Sequence, residues 1–236
     1  MKFSAIQRFT LLDYPGKVAC IAFTPGCNMR CGFCHNPEFV LPENIRAIAD
    51  SFVSEEAFFH FLRERQGLID GVVISGGEPT VWPDLPILIQ KIKEQGFLVK
   101  LDTNGNNPVM LEKLLREGLL DYVAMDVKTS LESYGSLVGV GIDGQNIAKS
   151  IELLKVADIS YELRTTLIKE IHTEPILVAL EKLVVGAREY YLQIFRPGHT
   201  LSPVFAEYHP FSPEEMEMLA KRFGKLVGKI GVRSES

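Results

Sequence analysis

Short apolar runs alternate with longer amphipathic stretches along most of this 236-residue chain, and the alternation is regular. The runs are VACIAF (18–23), GVVIS (71–75), FLVKLD (97–102), DYVAMDV (121–127), ISYELRTTLI (159–168) and YYLQIF (190–195). Each has the pattern of a strand buried on both faces in a parallel sheet. The stretches between them predict helices. One opens at Ser54, followed by Glu55 and Glu56, and Pro83 to Gln95 closes at Gly96. Pro108 to Glu117 closes at Gly118, Gly144 to Ala157 is amphipathic, and Thr173 to Val185 closes at Gly186. A glycine just past the last turn accepts the left-handed backbone that ends a helix. A final helix, about 212–228, starts at Ser212-Pro213-Glu214-Glu215, with Ser212 as cap and proline in the first turn.

Six strands, each followed by a helix, imply an α/β fold whose parallel sheet has right-handed crossovers and curls toward a barrel that need not close, a partial (β/α)6 barrel. No stretch has the composition of a linker, so one domain over 1–236 is expected, with its core at about 9–200. In such folds chemistry gathers at the C-terminal ends of the strands. The polar and glycine residues fall there: TPGCNMRCGFCHN after the first strand, GGEPT after the second, DTNGN after the third, Asp126 and Lys128 at the fourth, Arg164 in the fifth and Arg196 after the sixth.

Composition narrows the class. A formal net charge of -5 argues against a general affinity for nucleic acid. The start MKFSAIQRFTLLDYPG has neither a long apolar core nor a small-residue cleavage site, and no apolar run is long enough to span a bilayer, so a soluble cytoplasmic protein without a membrane partner is expected. Of four cysteines, three are Cys27, Cys31 and Cys34, a cluster too tight to pair off across a fold. Metal or cluster binding fits better. Three thiolates satisfy three irons of a cubane and leave the fourth open to a ligand. A structural zinc site made of the same cysteines and His35 is the alternative. Cys20, inside VACIAF, reads as a small buried hydrophobe.

At these cysteines the chain resembles the radical S-adenosylmethionine (SAM) superfamily, whose signature is CxxxCxφC with an aromatic at φ, here Phe33. TLLDYPGKVACIAFTPGCNMRCGFCHNPEFV (10–40) resembles the opening of the glycyl-radical-enzyme activating enzymes. The Asp13-Tyr14-Pro15-Gly16 turn and Cys34-His35-Asn36-Pro37 carry that narrower likeness. Within the group the resemblance is greatest to the anaerobic ribonucleoside-triphosphate reductase activating protein, over Phe9 to about Arg196.

The resemblance implies a [4Fe-4S] cluster on Cys27, Cys31 and Cys34, with S-adenosyl-L-methionine as the second cofactor. Gly76, Gly77 and Glu78 would hold its amino group, though GGE is also an ordinary tight turn with a helix-start glutamate. Asp102 and Asn104 of LDTNG, with Asp126 and Lys128 of DVK, resemble segments that contact the methionine end or a nearby cation. An Asx-type turn for the first, and a buried ion pair or a strand end for the second, are the plainer readings. Arg164 would reach into the site or pair with Glu162 or Glu170. His35 is expected to support the site rather than ligate. Where the pyruvate formate-lyase activase pattern has a histidine after its sixth strand, YYLQIFRPG offers Gln193 and Arg196, which leaves the adenosine contact open. The C-terminal run with Lys221, Arg222, Lys225, Lys229 and Arg233 reads as a solvated helix face, with docking to an acidic partner as the sharper alternative.

The implied reaction is reductive cleavage of S-adenosylmethionine to a 5'-deoxyadenosyl radical, which takes a hydrogen atom from a backbone glycine of a partner enzyme. That partner would be an anaerobic ribonucleotide reductase, and a flavodoxin or ferredoxin type donor would supply the electron. The cofactor carries the chemistry, so no acid–base pair is sought. Few residues follow the sixth βα unit to close a small-molecule pocket, which favours a macromolecular substrate. Three rivals stand beside it. They are a radical enzyme acting on a small molecule, of the 7-carboxy-7-deazaguanine synthase type, an iron–sulfur electron carrier, and a zinc-stabilised binding module.

Overall fold

The computed structural model describes residues 1–139 and 141–234. Residues 140, 235 and 236, inside the expected span of 1–236, lie outside the described residues. The strands are β1 (Lys2–Phe3), β2 (Ala5–Thr10), β3 (Ala19–Thr24), β4 (Val53–Ser54), β5 (Gly71–Gly76), β6 (Leu98–Thr103), β7 (Tyr122–Asp126), β8 (Ser160–Leu167), β9 (Glu189–Ile194) and β10 (Lys229–Ser234). The helices are α1 (Pro42–Ala47), α2 (Glu55–Glu64), α3 (Leu85–Glu94), α4 (Pro108–Arg116), α5 (Tyr134–Val138), α6 (Gly144–Val156), α7 (Glu174–Val184) and α8 (Pro213–Phe223).

The chain divides into two compact units. One comprises 1–28, 36–103 and 109–123, the other 29–35, 104–108 and 124–236. In the first, β3, β5 and β6 are parallel neighbours, with Thr24 level with Gly76 and Gly71 level with Leu98. Val72, Val73 and Ile74 are fully buried, as an unbroken apolar run requires of a strand covered on both faces. Ser54 caps α2 by accepting the Ala57 N–H at 3.1 Å, and the helix buries Phe58, Phe59 and Leu62. In the second unit β8, β9 and β10 are parallel neighbours. α8 opens on a capping box between Ser212 and Glu215 and buries Met216, Leu219 and Phe223, the last against Tyr190 with ring centroids 5.3 Å apart. Strand β7 begins in the first unit and ends in the second.

The fold is therefore α/β with mostly parallel strands, and the six expected strands appear as β3 and β5 to β9. Two features differ from the sequence reading. β2 adds to β3 antiparallel, Ile6 facing Ala22, so the arrangement is not wholly parallel. The last helix stops at Phe223 rather than near 228, and Lys229 and Arg233 lie on β10, not on a helix face. Gly224, Gly228 and Gly231 weaken helix here. The alternation of Ile230 and Val232 with Lys229, Gly231 and Arg233 has the period of a strand.

Candidate functional site

The first unit carries Cys27, Gly76 to Glu78 and Asp102 at or just beyond the C-terminal ends of β3, β5 and β6. Gly77 N–H donates to Thr24 C=O and Glu78 N–H to Gly26 C=O, both at 2.8 Å, which ties the GGE turn to the backbone leading into Cys27. The glycines make that approach possible. Gly76 has φ +113, a conformation L side chains avoid, and a Cβ on Gly77 would lie 2.6 Å from the Gly26 carbonyl carbon and 2.9 Å from the Phe39 oxygen. Glu78 is 1% exposed. Its Oε1 accepts the Thr80 N–H at 3.1 Å and the Thr103 hydroxyl at 2.7 Å, so part of its charge caps the short turn Pro79–Val81. Asp102 accepts the Ser75 hydroxyl at 3.1 Å on one oxygen and pairs with Lys100 through the other. Lys100 is 2% exposed. The sequence reading missed it, although residues two apart on a strand share a face and LVKLD places Lys100 beside Asp102.

The second unit carries Cys31 to His35, Asn104, Asp126, Lys128, Arg164 and Arg196. Cys31 and Phe33 are buried, and the Cys34 N–H donates to the Cys31 carbonyl at 3.1 Å, closing a tight turn between the two thiols. Burial pushes the Cys31 thiol up to about 11, against the pull of the Lys128 charge. Lys128 Nζ stands 5.8 Å from the Phe33 ring centroid, within cation–π range, and 3.3 Å from Asp126. Arg164 Nε donates to Asp126 at 2.9 Å, which joins three of the expected residues in one charged triad. Burial pushes the Asp126 carboxyl up, but Arg164 and Lys128 outweigh it and hold the group at about 2. Burial would likewise lower Lys128, yet the Asp126 carboxylate raises it above the usual lysine value.

Lys128 is also clamped by its backbone. Its N–H donates to the Tyr134 hydroxyl at 2.9 Å, and its carbonyl accepts from His172 Nε2 at 3.1 Å. His172 Nδ1 accepts the Ile168 N–H at 2.9 Å, which assigns the proton to Nε2, and burial lowers this histidine's pKa. The sequence reading passed over Tyr134 and His172, since a lone buried tyrosine or histidine carries no motif. Asn104 Oδ1 accepts the Asn106 N–H at 3.0 Å, so DTNGN does form an Asx turn. The His35 Nε2 donates to the Arg196 carbonyl at 3.0 Å while the Arg196 side chain is exposed. Among the described residues no three His, Cys, Asp or Glu side chains close on one point as a single-ion site would require, and no helix is long and apolar enough to cross a membrane.

Comparison with known proteins places the chain. Residues 21–183 match the model of the radical SAM superfamily. A putative glycyl-radical enzyme activating enzyme of Methanocaldococcus jannaschii is 34% identical over 98% of this chain and 95% of its own length. The pyruvate formate-lyase-activating enzyme of Clostridium pasteurianum is 30% identical over 66% of this chain and 65% of its own length. Among solved structures, Streptococcus suis SuiB bound to S-adenosylmethionine superposes with a TM-score of 0.60 over 92% of this chain at 14% identity, and the chain spans about half of it (52%). At that identity the likeness speaks for the fold. The chain belongs to the radical SAM superfamily, whose cofactors are a [4Fe-4S] cluster and S-adenosylmethionine. Within it, the chain belongs to the enzymes that generate radicals on glycyl radical enzymes.

Proposed function

We propose that this protein activates an anaerobic ribonucleoside-triphosphate reductase by generating its glycyl radical. The observation that carries the reading is the trio Cys27, Cys31 and Cys34 with Phe33 at the aromatic place of the signature, in a chain akin over nearly its whole length to a putative activating enzyme. The donor set fits a cubane. Three thiols lie within eight residues, and Cys31 is buried where a bare thiolate is disfavoured and an iron would take the proton's place. When bound, the cluster and S-adenosylmethionine supply one-electron cleavage that leads to hydrogen abstraction from a backbone glycine. The chain's own residues bind and orient. Asp126 and Lys128 present opposite charges suited to an amino acid's amino and carboxylate groups, and Arg164 fixes Asp126. Gly76 and Gly77 bring the GGE backbone against the entry to Cys27. In this reading the enzyme works in the reducing cytoplasm, takes its electron from a flavodoxin or ferredoxin type donor, and needs neither nucleic acid nor membrane.

The resemblance over Phe9 to about Arg196 to the reductase activating protein supports the reductase as partner. A second reading, activation of pyruvate formate-lyase, is favoured by the clostridial relative. Anaerobically reconstituted protein mixed with each candidate under reducing conditions should give a glycine-centred EPR signal on the reductase, abolished by Cys31→Ala. A signal on pyruvate formate-lyase alone would replace the first reading with the second. No signal on any glycyl radical enzyme would overturn both.

A further inference from the structure

The peptide leaving β9 runs alongside the cysteine loop, and both belong to the second unit. Ser202 N–H donates to the Gly32 carbonyl at 2.8 Å and Leu201 N–H to the Cys34 carbonyl at 3.1 Å. The Arg196 carbonyl accepts from His35, whose ring stacks on Phe195 with centroids 5.9 Å apart and planes inclined by 14°. The Phe205 ring stands 5.8 Å from Phe33 and occupies the space a side chain on Gly32 would need, since a Cβ there would lie 2.9 Å from its Cδ2. Tyr208 in turn packs on Phe205 at 4.6 Å. Four consecutive loop residues, Gly32 to His35, are thus each engaged from one segment.

A connection between elements is ordinarily the mobile part of a fold, and fixing each residue of an unsupported loop costs conformational entropy. Two backbone hydrogen bonds, one imidazole–carbonyl bond and two ring contacts offset that cost before any ligand arrives. The pattern engages backbone carbonyls and rings of the loop. We propose that Phe195–Tyr208 is a strap that sets the cysteine loop in its ligating shape and shields it from water, with Phe205 and His35 as positioning residues. This rests on the cluster reading above. It also gives RPG after β9 a use in place of the absent histidine, because Arg196 contributes its carbonyl to the strap.

The holoenzyme tests it. Wild type, Phe205→Leu, Phe205→Ala, His35→Gln and His35→Phe are reconstituted without oxygen. For each, iron loss to a ferrous chelator is timed and the cluster midpoint potential is titrated. Phe205→Ala and His35→Phe should lose iron about tenfold faster or more, the scale on which outer-shell partners act on bound metal. Their potentials should rise, because water stabilises the more negatively charged reduced cluster. His35→Gln retains an N–H for the Arg196 carbonyl, and Phe205→Leu retains the apolar cover, so both should stay near wild type. These two milder variants keep the test decisive should the harsher ones fold poorly, for a loss in them equal to that of His35→Phe and Phe205→Ala counts against the strap. Clusters in all variants with unchanged release and potential would remove the strap and leave the cluster reading intact. A wild type that takes up no cluster would remove both.

Discussion

Lys128 shows how a motif residue is governed by neighbours that carry no motif. Its ammonium faces Asp126, but its peptide N–H and carbonyl are held by Tyr134 and His172, so the position of the charge depends on a tyrosine and a histidine that sequence reading had no reason to select. The histidine imposes a pH dependence whose sign follows from its burial. Its folded pKa lies below the ordinary 6.5, so as pH falls through that value the unfolded chain takes up a proton that the folded chain refuses. Its contribution is therefore constant above pH 6.5 and declines on acidification toward its native pKa. In urea titrations at pH 7.5 and 5.5, wild type should lose more stability than His172→Gln, whose amide still donates to Lys128 but does not titrate. Equal losses, or a greater loss in the variant, would mean the histidine is readily protonated in the fold. Asp126 and Lys128 could be read beforehand only as a pair, since "buried ion pair" and "ligand contact" share one sequence. The structure supplies the pair and adds Arg164 to it.

At the scale of elements, legibility followed burial on two faces. The strands β3, β5 and β7 were visible because three or more consecutive residues of each are apolar, and β6, β8 and β9, which carry Lys100, Glu162, Arg164 and Gln193, because short apolar-rich runs recur between the helical stretches. Strand β2 was not visible, because AIQRFT exposes Gln7, Arg8 and Phe9 and its only strand partner among the described residues is β3. Strand β10 was obscured by its basic residues, which suggested a solvated helix. One of those is far from solvated in function. Arg233 makes a two-pronged bond to Glu162, at 2.7 and 2.9 Å, and lies over the Tyr191 ring at 3.4 Å. Glu162 is 1% exposed, so the guanidinium serves as counter-ion to a buried carboxylate. Arg233→Met should destabilise the protein by about 3 kcal/mol, and the double variant with Glu162→Met by clearly less than the two single losses added together. Denaturant midpoints across the four proteins measure this coupling. A cost below about 0.5 kcal/mol for Arg233→Met would reduce the pair to an ordinary surface contact.

For the whole molecule, reaction class and partner are written at different densities. The class is carried by the strand ends and by likeness over nearly the full length of an archaeal relative, whereas a partner is chosen by surface residues that no motif marks. The cysteine trio stood out in the sequence because three thiols within eight residues make an uncommon spacing, whereas the strap along Gly32 to His35 did not, because backbone carbonyls and ring contacts leave no spacing to read. What separates an activating enzyme from a radical enzyme acting on a small molecule is the dependence of turnover on a macromolecule. If the substrate is a glycine in a protein, 5'-deoxyadenosine should form in proportion to the glycyl radical enzyme supplied and level off near one per radical centre formed. Adding small metabolites, deazaguanine precursors among them, should not raise it above the level seen with no partner. Both quantities come from one anaerobic time course, nucleoside by chromatography and spins by EPR. Turnover that rises with a small molecule, in the absence of any protein partner, would move the chain to the other branch of its superfamily.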